Sequence, residues 1–266
     1  MTDEAEPFLP ARARKSSWRL AMVLVALLGV GIVTLIGQLT VPRRPWWAPD
    51  RENSYDVFDV GHDHQALSTA AEWVGHLTIP TVLRVLTLVV AVVLWRRGLR
   101  ATAVWWAVTM VVSGAVAIVV RELVARPRPH WPDSGPLVDG YTFPSGHATN
   151  AAVFAGCVVV VTWPHLRRAW RAVVVVAGIA FFVTVGASRL LLGVHSVSDI
   201  LSAWALAASL LLGMFAVGAT PAVRRLMPSV RDVRDVRDDR DDRDDRGVSS
   251  DRDDRAVRAV RGEKDS

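Results

Sequence analysis

The sequence predicts an all-α integral membrane protein with six transmembrane helices, and three features carry that prediction. First, 51% of the 266 residues are hydrophobic although the chain bears 31 basic and 26 acidic side chains, so charge has to be segregated from the apolar segments. Residues 221–266 hold 13 basic and 13 acidic groups, and the net charge of +5 therefore resides in the apolar body. Second, the apolar residues come in runs of spanning length. Third, short arginine clusters recur at alternate ends of those runs, the pattern of the positive-inside rule. The outer segments carry arginines too, which weakens the rule unless those have another job. A single cysteine, Cys157, excludes an intramolecular disulfide framework and a cysteine-rich zinc site.

The first run, residues 20–41, has no charge and would form a helix about 33 Å long, enough to cross a bilayer. Arg12, Arg14, Lys15 and Arg19 precede it as they would in a signal peptide. The run is too long for a signal-peptide core, and no small-x-small site precedes Pro42, so an uncleaved span is expected. Further spans are expected at 78–95, 101–120, 148–164, 172–188 and 197–218. Other counts stay open, because the fourth and fifth are short and Arg84 interrupts the second. With the N-terminus inside, the cytoplasmic segments are 12–19, 96–100, 165–171 and the tail. Trp18, Trp95, Trp163 and Trp170 then sit at the inner boundary, and Trp46 and Trp47 on the outer side. The expected organisation is a short basic cytoplasmic N-terminus (1–19), a six-span domain (20–218) and an Arg/Asp-rich cytoplasmic tail (219–266). The tail repeats arginine every third position from Arg231 to Arg246. A neutral polyampholyte of this kind reads as disordered, with a salt-bridged exposed helix as the alternative and no catalytic part in either case.

The outer loops are then 42–77, 121–147 and 189–196, and two of them concentrate ionisable residues. Two spans separate segment 121–147 from segment 188–199, so both lie on one side of the membrane. That parity gathers Arg121, Arg126, Arg128, His147, Arg189, His195 and Asp199 at one boundary, as a site for a multiply charged anion would. Pro144-Ser145-Gly146-His147 directly precedes an apolar run and should open a helix, whose first N–H groups and dipole end attract anions. Ser145 adds a hydroxyl, and Gly146 permits close backbone approach. His195 and Asp199 are four apart, so the carboxylate could hold one imidazole N–H and leave the other nitrogen as a nucleophile. Arg121, Arg128 and Arg189 suit forked contacts to phosphate oxygens.

These segments resemble the type 2 phosphatidic acid phosphatases (the PAP2 family), whose relatives include vanadium haloperoxidases. The family pattern is Lys-x6-Arg-Pro, Pro-Ser-Gly-His, then Ser-Arg-x5-His-x3-Asp. Here it reads Arg121-x6-Arg128-Pro129, Pro144 to His147, and Ser188-Arg189-x5-His195-x3-Asp199. The one departure is Arg121 in place of Lys, in a chain whose only lysines are Lys15 and Lys264. The resemblance covers about residues 55–215 and implies a PAP2/haloperoxidase-like helical core. It further implies that His195 attacks phosphorus and forms a phosphohistidine while Asp199 orients its ring. His147 would protonate the leaving oxygen and then activate water. Arg121, Arg128, Arg189, Ser145 and the Gly146 N–H would hold the phosphoryl oxygens. No metal and no cofactor are expected, since arginines and a helix end do the neutralising.

The abundance of Arg, Ala and Val suggests a bacterium, and the arginine distribution places the site outward and both termini on the cytoplasmic side of the plasma (inner) membrane. The resemblance implies an enzyme of lipid metabolism there. The substrate would be a lipid phosphate: undecaprenyl pyrophosphate, phosphatidylglycerophosphate or phosphatidic acid. Membrane lipids are the expected partners, nucleic acid is not, and the oligomeric state is open. Two alternatives stand beside this one, a non-catalytic lipid-phosphate-binding or scaffold protein and a phosphatase for a soluble phosphate ester. Several residues keep two readings. Arg126 is either a ligand or an interfacial anchor, and Arg84 either a substrate contact or, as favoured, a snorkelling side chain. Tyr141, Phe143, His130 and Trp131 either line the lipid path or pack. His62 and His64 form a metal-like pair that most simply is a polar loop, and Cys157 reads as an apolar filler.

Overall fold

The computed structural model describes residues 11–131 and 140–218, with side chains from Trp18 onward. The expectations for the tail and for residues 1–10 lie outside the described residues. Among the described residues eight α-helices follow one another: α1 (Ala11–Leu39), α2 (Trp47–Asp63), α3 (Gln65–Leu77), α4 (Pro80–Arg96), α5 (Arg100–Val124), α6 (Gly146–Thr162), α7 (Arg168–Leu191) and α8 (Val197–Gly218). A 3-10 turn at Trp163–His165 follows α6, and no strand occurs among the described residues.

Five of these helices are long and apolar enough to cross a membrane: α1, α5, α6 with its 3-10 turn, α7 and α8. A sixth is reached if α3 and α4 are taken together as one bent span. α3 and α4 meet at a bend of 46° around Thr78-Ile79, with Pro80 opening α4. Proline is well placed at a first helical turn, where its missing N–H costs nothing, and it disfavours helical backbone in the residue before it. The second predicted span is therefore the distal half of a bent pair, and Arg84 lies exposed on it.

The segment 42–77, read from sequence as an outer loop, is largely helical, which corrects that reading. α2 is polar overall, yet Ser54, Phe58 and Gly61 are buried at a spacing of four and three residues, one helical face. α3 likewise buries Ala71 and Gly75, four apart. Neither forms the long apolar run by which spans are recognised. The third span also runs further than expected, to Val124, so Arg121 lies in the last helical turn and not in a loop.

α6 occupies the middle of the bundle, packed against α4, α5, α7 and α8, while α1 lies along α8. Its buried face is made of small residues, Ala148, Thr149, Ala151, Ala152, Val153, Ala155 and Cys157. Small side chains let helix backbones approach closely, which is how spans associate when lipid removes the hydrophobic drive between them. Cys157 is one of these fillers and is fully buried. α1 shows the opposite character, with Leu20, Leu24, Leu27, Leu28 and Leu35 more than half exposed, the face that lipid would cover.

α5 ends in a left-handed turn at Ala125 (φ 50°), whose N–H bonds the Arg121 carbonyl. The chain then runs through Arg126 to Trp131 and returns at Gly140 to Ser145. The two strips are joined where the Thr142 N–H bonds the Arg126 carbonyl at 3.0 Å. Phe143 is fully buried between α1 and α5, against Gly37 and Val124, and fixes the returning strip in the core. Trp131 is also buried, stacked on Phe58 of α2 and donating its indole N–H to the Gly193 carbonyl at 3.0 Å. Both aromatics therefore pack, whereas Tyr141 is half-exposed.

Candidate active site at one end of the bundle

α5 and α7 finish, and α6 and α8 begin, at the same end of the bundle, so the motif segments meet there. Arg121 is in the last turn of α5, Arg189 in the last turn of α7, His147 in the first turn of α6 and Asp199 in the first turn of α8. Arg126 and Arg128 lie on the strip after α5, and His195 on the turn before α8. Arg189, His195, Arg128 and Arg121 all stand close enough to His147 to interact with it electrostatically. All the sequence-predicted site residues thus stand at one end.

α6 opens at Gly146 with extended backbone at Ser145, the expected start of a helix after Pro144-Ser145. The Ser145 N–H bonds the Asp199 carbonyl at 3.2 Å, tying this helix start to α8. The Arg121 guanidinium lies across Gly146, so that a Cβ there would sit 2.7 Å from Nη2. A side chain at 146 would have to displace that guanidinium. The same Nη2 donates to the Pro144 carbonyl at 3.2 Å. Arg128 donates to the Val194 carbonyl at 3.1 Å. Burial, and after it the neighbouring Arg121 charge, push the Arg128 pKa down from its usual value.

Arg189 reaches across to α3, where its Nη2 donates to the Ala71 carbonyl at 3.5 Å. Its guanidinium lies directly on Gly75, leaving no room for a Cβ. The small face of α3 is therefore the seat of this arginine. Three polar atoms of the cluster, Arg121 Nε, Ser145 Oγ and His147 Nε2, are buried without a hydrogen-bond partner. Buried polar groups in that condition are uncommon and call for a ligand or solvent atom.

Asp199 is fully buried and heavily hydrogen-bonded. Arg126 Nη1 donates to its Oδ1 at 3.1 Å. The Thr142 hydroxyl and the Ser196 N–H donate to Oδ2 at 2.6 and 2.8 Å. His195 Nδ1 lies 3.4 Å from Oδ2 but only 2.8 Å from Thr142 Oγ1. The direct contact expected from the four-residue spacing is therefore the longer of the two. His195 precedes α8 and does not lie on it, which accounts for the stretched distance. Burial pushes the His195 pKa down from its ordinary value, against the opposing pull of Asp199.

Arg126, with two readings from sequence, is resolved as an internal brace. It is 3% exposed and its second nitrogen pairs with Asp50 Oδ2 at 2.5 Å and with Ser196 Oγ at 3.1 Å. Asp50 was not legible as part of the site. It sits in the first turn of α2, and its Oδ1 accepts the Ser198 N–H at 2.9 Å while Oδ2 accepts the Ser198 hydroxyl at 2.7 Å. Ser54, one turn on, accepts the Val197 N–H at 2.9 Å. Two first-turn N–H groups of α8 are thus capped by side chains from a distant helix, where a cap normally comes from the preceding residue. Thr142 was likewise missed. His62 and His64 stand at the end of α2, one against Phe58 and the other on the Val60 carbonyl, and they do not join a metal-ligand cluster among the described residues.

Residues 102–221 match the PAP2 superfamily. A curated relative, phosphatidylglycerophosphatase B of Bacillus subtilis (strain 168), is 37% identical over 112 residues, which are 40% of this chain and 52% of that protein. The chain thus spans about half the length of the curated relative it matches. A crystal structure titled as the first transmembrane PAP2 type phosphatidylglycerolphosphate phosphatase from Bacillus subtilis superposes with a TM-score of 0.58 at 22% identity, covering 75% of this chain and 94% of that one. At that identity the likeness is one of fold, and the fold is that of a transmembrane helical protein.

The Asp50 contacts have a measurable consequence. Asp50→Ala removes a carboxylate from buried Arg126 and uncaps α8, and should lower stability by about 3 kcal/mol. Asp50→Asn, which keeps an acceptor for the Ser198 N–H, should cost less. Thermal unfolding in detergent reads both, and unchanged melting of the alanine variant would show that the brace carries no stability. The matched residues 102–221 hold all three motif segments, and over that stretch the chain is similar to the PAP2 superfamily.

Proposed function

We propose that this chain is a metal-independent lipid phosphatase acting on a phosphomonoester or pyrophosphate of a membrane lipid through a phosphohistidine on His195. The observation that carries this reading is the set of buried, unpartnered polar atoms, Arg121 Nε, Ser145 Oγ and His147 Nε2, beside His195. Donors and cations without a protein acceptor suit a phosphoryl group, whose oxygens would complete them. The His195 Nδ1 is engaged by Thr142 and Asp199, so its Nε2 is the nitrogen left for attack on phosphorus.

In the first step the His195 Nε2–P bond forms as the P–O bond to the leaving group breaks, and His147 gives that oxygen its proton. In the second, water attacks phosphorus, His147 takes the water proton and the N–P bond breaks. Arg121, Arg128, Arg189, Ser145 and the Gly146 N–H stabilise the phosphoryl charge in both. The carboxylates of Asp199 and Asp50 are occupied by protein donors, which favours arginine neutralisation over a carboxylate-held cation. The position at the ends of spanning helices suits a lipid whose tails stay in the bilayer. The relative named phosphatidylglycerophosphatase B puts phosphatidylglycerophosphate first among the three candidate lipids. The outward orientation rests on the arginine clusters at the other end, Arg96, Arg97 and Arg100 and then Arg167, Arg168 and Arg171.

Three outcomes follow. Purified protein with excess chelator should release phosphate from at least one of the three lipids in preference to a soluble ester, and His195→Ala should lower the rate about 10³-fold or more. Release that requires an added metal, or that survives the substitution, would overturn the mechanism; a soluble ester as the best substrate, or no release at all, would favour the respective alternatives. The nucleophile acts as neutral imidazole, so protonation removes its lone pair and the rate falls as pH drops through its pKa. Because burial lowers that pKa, the acidic limb of kcat/KM should lie below the ordinary imidazole value of about 6.5. A limb above that value would contradict the assignment. A reporter fused after Gly98 should behave as cytoplasmic and one inserted near Asp133 as extracytoplasmic; the reverse pattern would overturn the orientation.

A further inference from the structure

Between His195 and Asp199 stands a hydroxyl whose proton can be placed by elimination. Thr142 Oγ1 is 2.6 Å from Asp199 Oδ2 and 2.8 Å from His195 Nδ1. A carboxylate only accepts, so the single hydroxyl proton of Thr142 points to Asp199. The Thr142 oxygen then has only lone pairs left for the imidazole, and a short contact there requires a proton on His195 Nδ1. That places the lone pair of the neutral ring on Nε2. Asp199 alone enforces this weakly, because its own contact with Nδ1 is 3.4 Å, beyond the usual range for a strong N–H···O bond. Its Oδ2 is also shared with the Ser196 N–H at 2.8 Å.

We propose that Thr142 is a positioning residue that sets the tautomer and orientation of His195 by relaying its Nδ1–H to Asp199. The inference rests on the reading of His195 as nucleophile. Thr142 is built to do this: it is fully buried, its N–H is fixed to the Arg126 carbonyl, and Phe143 beside it is anchored in the core. Arg126 braces both ends of the relay, through its carbonyl to Thr142 and through its guanidinium to Asp199. Both contacts of the hydroxyl are to the dyad.

The experiment pairs kinetics with ¹⁵N-histidine NMR of the full chain in detergent, the His195 signal being assigned by its loss in His195→Ala. The wild-type ring should show the Nδ1-protonated tautomer, and Thr142→Val, which keeps the volume and removes the hydroxyl, should shift it towards a mixture. On phosphatidylglycerophosphate, or whichever lipid phosphate is turned over, Thr142→Val should lower kcat about 10- to 100-fold with KM changed by less than about twofold. Thr142→Ser, which restores the hydroxyl, should recover kcat to within about threefold of wild type. An Nε2-protonated ring in the wild type would overturn the relay, as would an undiminished kcat in the valine variant or a serine variant as defective as valine. If the valine variant does not fold, the wild-type tautomer and the serine variant decide. A wild type inactive on every phosphate ester would remove the phosphatase reading instead, and the tautomer measurement would still test the relay.

Discussion

Asp199 carries a carboxylate with no exposed surface at the head of a membrane-spanning helix, where leaving it unpaired would cost several kcal/mol. Its donors come from three places: Arg126 on the strip after α5, Thr142 on the strip before α6, and the Ser196 N–H before α8. Satisfying this one group therefore obliges the α5–α6 connection to fold back on itself and the start of α8 to meet it. Arg126 in turn needs a second carboxylate, and Asp50 supplies it from α2. The placement of α2 across this end of the bundle follows from the same requirement.

The arginines at this end divide into two kinds by what holds them. Arg126 is paired with carboxylates and its charge is consumed inside the protein. Arg121 and Arg189 are held by backbone carbonyls, Pro144 and Ala71, and by glycines small enough to let the guanidinium lie flat. A carbonyl fixes direction without cancelling charge, so these groups keep their attraction for an anion. Holding such charges close together is unfavourable in the unliganded protein. On the proposed function that unfavourable term is relieved by a phosphoryl group, most fully where its charge is greatest.

The spans and the three motif segments were legible because they follow strong local rules. An uncharged run of bilayer length needs no tertiary information, and parity alone carries residues 121–147 and 188–199 to one end. α2 and α3 escaped because their partners are specific side chains and not lipid: Ser54, Phe58 and Gly61 make a narrow buried face on an otherwise polar helix. Asp50 was invisible for a related reason. It caps a helix whose start lies 148 positions away in sequence, and local capping patterns cover only neighbouring residues. Thr142 was overlooked as a residue beside a motif, and only the distances to His195 and Asp199 distinguish it from an ordinary buried threonine.

The arginine at 121, where the family pattern has lysine, is best understood from the space around it. Its guanidinium spans Gly146 and already spends one nitrogen on the Pro144 carbonyl, while Nε stays buried and unpartnered. A planar fork can bond the helix start with one edge and present another edge to a ligand. A compact ammonium at the same position would concentrate its charge at one point on a flexible four-carbon stem. Glycine at 146 thus serves two requirements at once, an exposed backbone N–H at the head of α6 and a bed for this side chain. Residue 121 and residue 146 are consequently coupled through packing, so the tolerance of one position for change depends on what occupies the other.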